Sequence, residues 1–273
     1  MNKRRATSLP QHFFRAQLRS KAFFRAINME IFDAHCHLES FKELPSLSGM
    51  ACATSGYSAE SNAKNAKIRD MLNSGTEPSK RRVFLSCGIA PQTAQEVGGI
   101  RDMLPLWIEQ YMAARPDAIG EIGLDWHWGK SAEQKERQLY AFEYQLELAV
   151  RKGIPVVIHC RDAVKETLSM LESYGARKFM MHCFTGTHEE AARAAGMGGI
   201  ISVPPLRNKE RKKSVKAVGM GKIVCETDSP YIGKTLNDIN VSLQIVSDSL
   251  SIPLEEAAAK SYANALQFYS CPD

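Results

Sequence analysis

The chain has 273 residues, 44% of them hydrophobic and 8% aromatic, with 35 Lys and Arg against 30 Asp and Glu. That composition is ordinary for a globular protein, and the length suits a single α/β barrel of about 250 residues as well as two smaller domains. No apolar run reaches the roughly 20 residues that a membrane-spanning helix needs, which excludes a helical membrane protein.

The net charge of +5 is unevenly placed. Residues 1–28 carry seven bases (Lys3, Arg4, Arg5, Arg15, Arg19, Lys21, Arg25) and no acid, so residues 29–273 hold 28 bases against 30 acids, a net of −2. The body is therefore not a uniformly basic nucleic-acid binder, and any phosphate affinity must come from local patches or bound metal. The acid-free leader reads as a transit peptide, a basic arm or a non-native extension, and Met29 offers a second start; the expectation is an extension without a catalytic role. Seven cysteines at long intervals, with no C-x-x-C pair, point to reduced thiols and a cytoplasmic setting.

From Met29 the chain alternates. Strand-like runs are predicted at 30–34, 50–54, 83–89, 118–122, 155–159, 178–183, 199–203 and 222–226. Helical patterns lie between them. The clearest is 132–152, capped by Ser131 with Gln134, striped by Leu139, Phe142, Leu146 and Ala149, and ended by Gly153. Thr187 and Glu190 form a second capping pair, and a last helix covers about 254–268. Eight strands alternating with helices predict a distorted TIM (β/α)8 barrel at 29–273. An open doubly wound sheet competes poorly, because no Gly-rich phosphate loop follows an early strand.

Barrel chemistry sits at the C-terminal ends of strands. Those ends hold His35 and His37, then Glu121, His159, His182 and finally Asp228 within Glu226-Thr227-Asp228-Ser229-Pro230. His35 and His37 share a strand face, with Cys36 on the other; Cys160, Cys183 and Cys225 are likewise expected to face the covering helices. Each histidine alone is more often structural. Four with two carboxylates are costly to bury without metal. They exceed the three protein ligands of one catalytic zinc and suit two divalent ions sharing a carboxylate, with Zn, Mn, Co or Ni favoured by imidazole and Mg admitted by oxygen. Such a centre implies hydrolysis of a phosphate ester or an amide.

The ordered motifs D-A-H-C-H-L, G-E-I-G-L-D-W, P-V-V-I-H-C-R-D-A, H-C-F-T-G and E-T-D-S-P-Y resemble the TatD family of metal-dependent hydrolases over about residues 30–270. The resemblance implies DNase activity, often exonucleolytic on single-stranded DNA. It assigns His35 and His37 to one metal, with Glu121 bridging and Asp228 completing that site. His159 and His182 fall to the second metal, and Asp228 also orients or deprotonates the attacking water, which makes Asp228 and Glu121 the catalytic pair. The chain departs from the family in two places. A common Gly-x-His-Pro is here Gly88-Ile89-Ala90-Pro91, and the loop after Tyr231 is shortened to Ile232-Gly233-Lys234-Thr235.

For substrate, Arg161 shares the His159 face and suits a phosphate, against a plain ion pair with Asp162. Trp126, in the Trp126-His127-Trp128 loop, is a stacking surface for a base or a side chain packed on its own barrel. Arg207 opens the basic run to Lys213, which either tracks a nucleic-acid backbone or is a solvated helix face. A hydrolase of C–N or C–O bonds and a binding protein with a structural metal remain the alternatives. No protein partner is expected.

Overall fold

Eight parallel strands follow one another around the molecule in chain order in the computed structural model, which describes residues 30–76 and 82–270. They are β1 (Ile31–Cys36), β2 (Met50–Ser55), β3 (Val83–Cys87), β4 (Ala118–Asp125), β5 (Val156–Arg161), β6 (Phe179–Met181), β7 (Ile200–Val203) and β8 (Ile223–Cys225). The helices are α1 (Ala59–Asn73), α2 (Pro91–Glu96), α3 (Ile100–Ala113), α4 (Ala132–Lys152), α5 (Val164–Ser173), α6 (His188–Gly196), α7 (Lys209–Val218), α8 (Ile239–Leu250) and α9 (Leu254–Tyr269). The expected barrel is present. The basic leader and the roles expected of it lie outside the described residues.

Strand alternation sorts the apolar residues into two cores. Phe32, Ala51, Phe84, Ala118, Val157, Met180 and Val224 point inward, one from each of seven strands. Ala265, Phe268 and Tyr269 of α9 join this inner cluster and plug the bottom of the barrel. Tyr269 Oη donates to Ala34 O at 2.8 Å, and its ring stacks on Phe32 at 5.9 Å. The larger outer cluster lies between strands and helices.

The seam between β1 and β8 is closed by the chain just beyond β8. Asp228 N donates to His35 O (2.9 Å), His37 N to Ser229 O (2.8 Å), and Thr227 N to the buried Asp33 carboxylate (2.8 Å). This seam matters for function, because it fixes Asp228 against the two histidines of β1.

Helix α4 has the predicted bounds and the predicted Ser131–Gln134 capping box, and Gly153 ends it at φ 69°. The predicted stripe needs one correction. Leu139 is 36% exposed, and Gln138 and Gln145 take buried positions in its place. The reason is polar satisfaction at the end of β4: Gln138 accepts from Asp125 N and donates to Asp125 O, which also accepts from Gly129 N.

Strand β4 also runs three residues further than expected, to Asp125. Gly123 permits this. It sits at φ 139°, and a Cβ there would stand 2.1 Å from His159 O. Gly123→Ala therefore combines backbone strain with a clash against main chain that has no room to move. It should cost roughly 3 kcal/mol or more, measured by chemical denaturation. A loss below about 1 kcal/mol would show that β4 and β5 can separate at this point.

Candidate metal centre

Two irregularities in the sheet aim the central residues inward. Between Asp33 and Cys36, β1 advances three residues while β2 advances two, from Cys52 to Thr54. Unbroken alternation from Phe32 and Ala34, both inward, would turn His35 outward and Cys36 inward. The extra residue reverses this, so Cys36 packs outside and His35 and His37 face the barrel mouth. Strand β4 does the same: Ile119 pairs with Val156 and Ile122 with Ile158, three steps against two. Ile119 and Ile122 both face outward, and Glu121 is left inward only because of the additional residue. His159 and His182 arrive by ordinary alternation after Val157 and Met180.

The six expected residues meet at one point. Glu121 Oε1 lies 3.2 Å from His35 Nε2 and 3.3 Å from His37 Nε2. Its other oxygen lies 3.3 Å from His159 Nδ1 and 3.5 Å from His182 Nε2. Asp228 Oδ1 is 3.2 Å from His37 Nε2 and 3.8 Å from His35 Nε2. Asp228 takes φ 49°, a left-handed conformation that Asp tolerates better than most residues. The six side chains are buried or half-buried.

This donor set fits divalent cations. Ligand atoms about 2.0–2.1 Å from a tetrahedral ion stand roughly 3.3 Å apart. The contacts around Glu121 Oε1 and around Asp228 and His37 have that spacing. Two of the side-chain groups able to hold an ion are His35, His37 and Asp228, and Glu121, His159 and His182. Ring orientation agrees with this. His37 Nδ1 meets Ser55 O at 2.8 Å and His35 Nδ1 meets Ser55 Oγ at 3.1 Å, which turns both Nε2 atoms toward the centre.

The electrostatics are those of a site that expects positive charge. Burial opposes a charged His37, yet its hydrogen bond to Asp228 and the charges of Glu121 and Asp228 raise its pKa to about 10. His182 is likewise disfavoured by burial but raised to about 9 by Glu121 and Glu226. Burial works against the Glu121 carboxylate as well, and the surrounding imidazoles overcome it and hold the group well below the ordinary range.

A cavity of about 840 Å³ opens over this centre. Arg161 lines it, with its guanidinium carbon 5.8 Å from the centre of the Trp128 ring. Asp162 pairs with His127 (3.1 Å). Trp126 is not among the lining residues; its ring packs against the outer core with the Lys135 ammonium 4.6 Å above it. The neighbouring Trp128, 57% exposed, takes the wall position instead. Arg207 also stands apart from the cavity, paired with Asp248 at 2.8 Å. Cys36 and Cys225 are buried in the outer core as expected. Cys160 borders the cavity, but its thiol meets Thr167 Oγ1 of α5 at 3.3 Å and it packs against the outer core as expected; Cys183, at φ 44° just past β6, instead lines the cavity.

Several residues at the site were not singled out in the sequence. Asp125 Oδ2 lies 2.9 Å from His159 Nε2 and accepts from Gln92 Nε2 at 2.9 Å. Glu226 lies 3.6 Å from His182 Nδ1. Tyr231 sets its ring edge-on to His37 at 4.9 Å. The signal for the two carboxylates was present: Glu226 follows the inward Val224 by two, and Asp125 closes the motif that Glu121 opens.

Comparison with known proteins places this site in context. The family model described as TatD related DNase matches residues 32–270. The human deoxyribonuclease TATDN3 is 32% identical over 195 residues, covering 67% of this chain and 70% of the relative. The 3'-5' ssDNA/RNA exonuclease TatD of Erwinia billingiae is 39% identical over 194 residues, covering 62% of this chain and 71% of the relative. Among solved structures, a hydrolase TatD family protein from Entamoeba histolytica superposes with a TM-score of 0.74 at 21% identity, over 88% of this chain and 98% of that one.

Proposed function

The chain belongs to the TatD-related DNase family of metal-dependent hydrolases, and from that premise we propose that it is a deoxyribonuclease that cleaves DNA phosphodiester bonds at a two-cation centre. One observation carries the reading: the two oxygens of Glu121 each face a separate pair of imidazoles, with Asp228 completing one side. His35, His37 and Asp228 are assigned to one ion, His159 and His182 to the other, and Glu121 to both. Divalent cations held there would lower the pKa of a water and neutralise charge on phosphate oxygens. Asp228, at the rim of the centre, is the group placed to take the proton of that water.

The cavity walls suit a single strand. Arg161 offers a guanidinium for a backbone phosphate, and Trp128 an exposed ring for a base. Trp128→Ala should weaken single-stranded DNA binding by about 1–3 kcal/mol. Arg161→Ala should lower the slope of log K against log salt by about 1. Salt-dependent fluorescence anisotropy measures both, and no change in either would remove these residues from the substrate path. Free thiols at six described cysteines support a reducing, cytoplasmic location, and no helix among the described residues is long and apolar enough to cross a membrane.

The deciding experiment is cleavage of end-labelled single-stranded DNA by metal-stripped protein, with Mg, Mn or Zn restored singly and Asp228→Asn as the control. The expected result is metal-restored cleavage that the variant lacks, by about a hundredfold or more. If the protein binds two ions yet leaves DNA intact with every metal, a small amide or ester is the substrate and the nuclease reading fails.

A further inference from the structure

The four imidazoles are held from behind in two different ways. On the His35–His37 side both outer partners are uncharged: the Ser55 hydroxyl and the Ser55 carbonyl. On the His159–His182 side each imidazole has a fully buried carboxylate, Asp125 at 2.9 Å and Glu226 at 3.6 Å, and His159 Nε2 also meets the Gln92 amide nitrogen at 2.8 Å. His182 Nδ1 and Glu226 Oε2 have no hydrogen-bond partner among the described residues, and they face each other.

The inner donors differ in the opposite sense. A cation between His35 and His37 meets a carboxylate of its own, Asp228, besides its share of Glu121. A cation between His159 and His182 meets only the second oxygen of Glu121. That side lacks one negative charge at bonding distance. Asp125 supplies charge one hydrogen bond further out and Glu226 supplies it at 3.6 Å, positions from which a carboxylate orients a ligating imidazole and raises its basicity.

We propose that Asp125 and Glu226 are positioning residues that enable the His159–His182 side to hold its divalent cation, so that occupancy of that side depends on them and occupancy of the His35–His37 side does not. This rests on the two-cation reading above. Both carboxylates are clamped by their other oxygens: Asp125 Oδ1 accepts from Trp128 N at 3.1 Å and Glu226 Oε1 from Cys183 N at 2.6 Å. Gln92 adds a donor to Asp125 Oδ2. Asn and Gln replacements therefore preserve shape and one anchoring bond, and turn an uncharged N–H₂ donor toward the histidine in place of the carboxylate acceptor.

Metal-free protein is titrated with Mn(II), with free Mn(II) read by electron paramagnetic resonance. The wild type should bind two ions. Asp125→Asn and Glu226→Gln should each keep one affinity unchanged and weaken the other about 10–100-fold. Asp125→Glu and Glu226→Asp, which keep charge and alter shape, should retain the second ion better than the amides do. A packing role would give the reverse ranking and would overturn the proposal. Amide variants that bind two ions like the wild type would overturn it too, with the two-cation reading intact. A wild type that binds a single ion would bring down that reading and this inference with it.

Discussion

Glu121→Gln should lower DNA hydrolysis at least about a thousandfold, equivalent to roughly 4 kcal/mol of transition-state stabilisation. The size follows from position. One carboxylate serves both imidazole pairs, with contacts of 3.2 and 3.3 Å from one oxygen and 3.3 and 3.5 Å from the other. Glutamine offers an acceptor to one pair but turns an N–H₂ toward the other, and an amide N–H₂ cannot ligate a cation. One cation side is lost outright and the shared charge with it. The measurement is kcat at saturating Mn(II), beside the metal content of the same sample. Activity within tenfold of wild type, with two ions retained, would remove Glu121 from the centre. Circular dichroism separates this from misfolding, because Glu121 lies among polar groups at the mouth and not in the apolar layers below.

The barrel was legible in the sequence because its information is local. Strand runs alternate with capped helices, and Ser131, Gln134 and Gly153 mark the bounds of α4 by their own chemistry. The six central residues were legible as strand ends. What could not be read was why they converge. His35 and Glu121 face inward through extra residues in β1 and β4, and a bulge has no periodicity of its own in a single sequence. Simple alternation counted from Phe32 or Ile119 gives the wrong face for both.

The substrate wall was harder to read for a related reason. Trp126 and Trp128 are two residues apart in a turn rather than a strand, so alternation does not say which ring reaches the cavity; the packing of the half-buried Trp126 against the outer core decides it. Arg207 and Asp248 are distant in sequence, and their pairing depends on how α7 and α8 meet. Gln138 shows the limit of the apolar-stripe rule. A buried amide was invisible until the main chain of Asp125 was in place beside it.

Metal uptake should release two or more protons per chain at pH 7, and affinity should rise as pH increases. The groups responsible are chiefly His37 and His182, joined by His159, which burial lowers but Asp125 and Glu121 raise above its ordinary value. Burial alone would keep His37 and His182 neutral, but the Asp228 hydrogen bond and Glu121 raise the first to about 10, and Glu121 with Glu226 raises the second to about 9. At neutral pH the metal-free chain therefore carries both as imidazolium, whereas a cation needs their lone pairs. With about one of these protons displaced on each side, the affinity for each ion gains about tenfold per pH unit, and the product for both ions about a hundredfold, until pH approaches those values. The sign for folding is opposite. Because the folded pKa values lie above the ordinary histidine value of 6.5, the stability these groups lend the metal-free chain is complete below about pH 6.5 and is lost as pH rises through 9 to 10. High pH thus weakens the empty centre while strengthening its hold on metal, so the thermal stabilisation produced by Mn(II) should widen from pH 6 to pH 9. Calorimetry in two buffers of different ionisation enthalpy counts the protons directly. A count near zero at pH 7 would mean that these imidazoles are already neutral and that the carboxylates around them do not act as described.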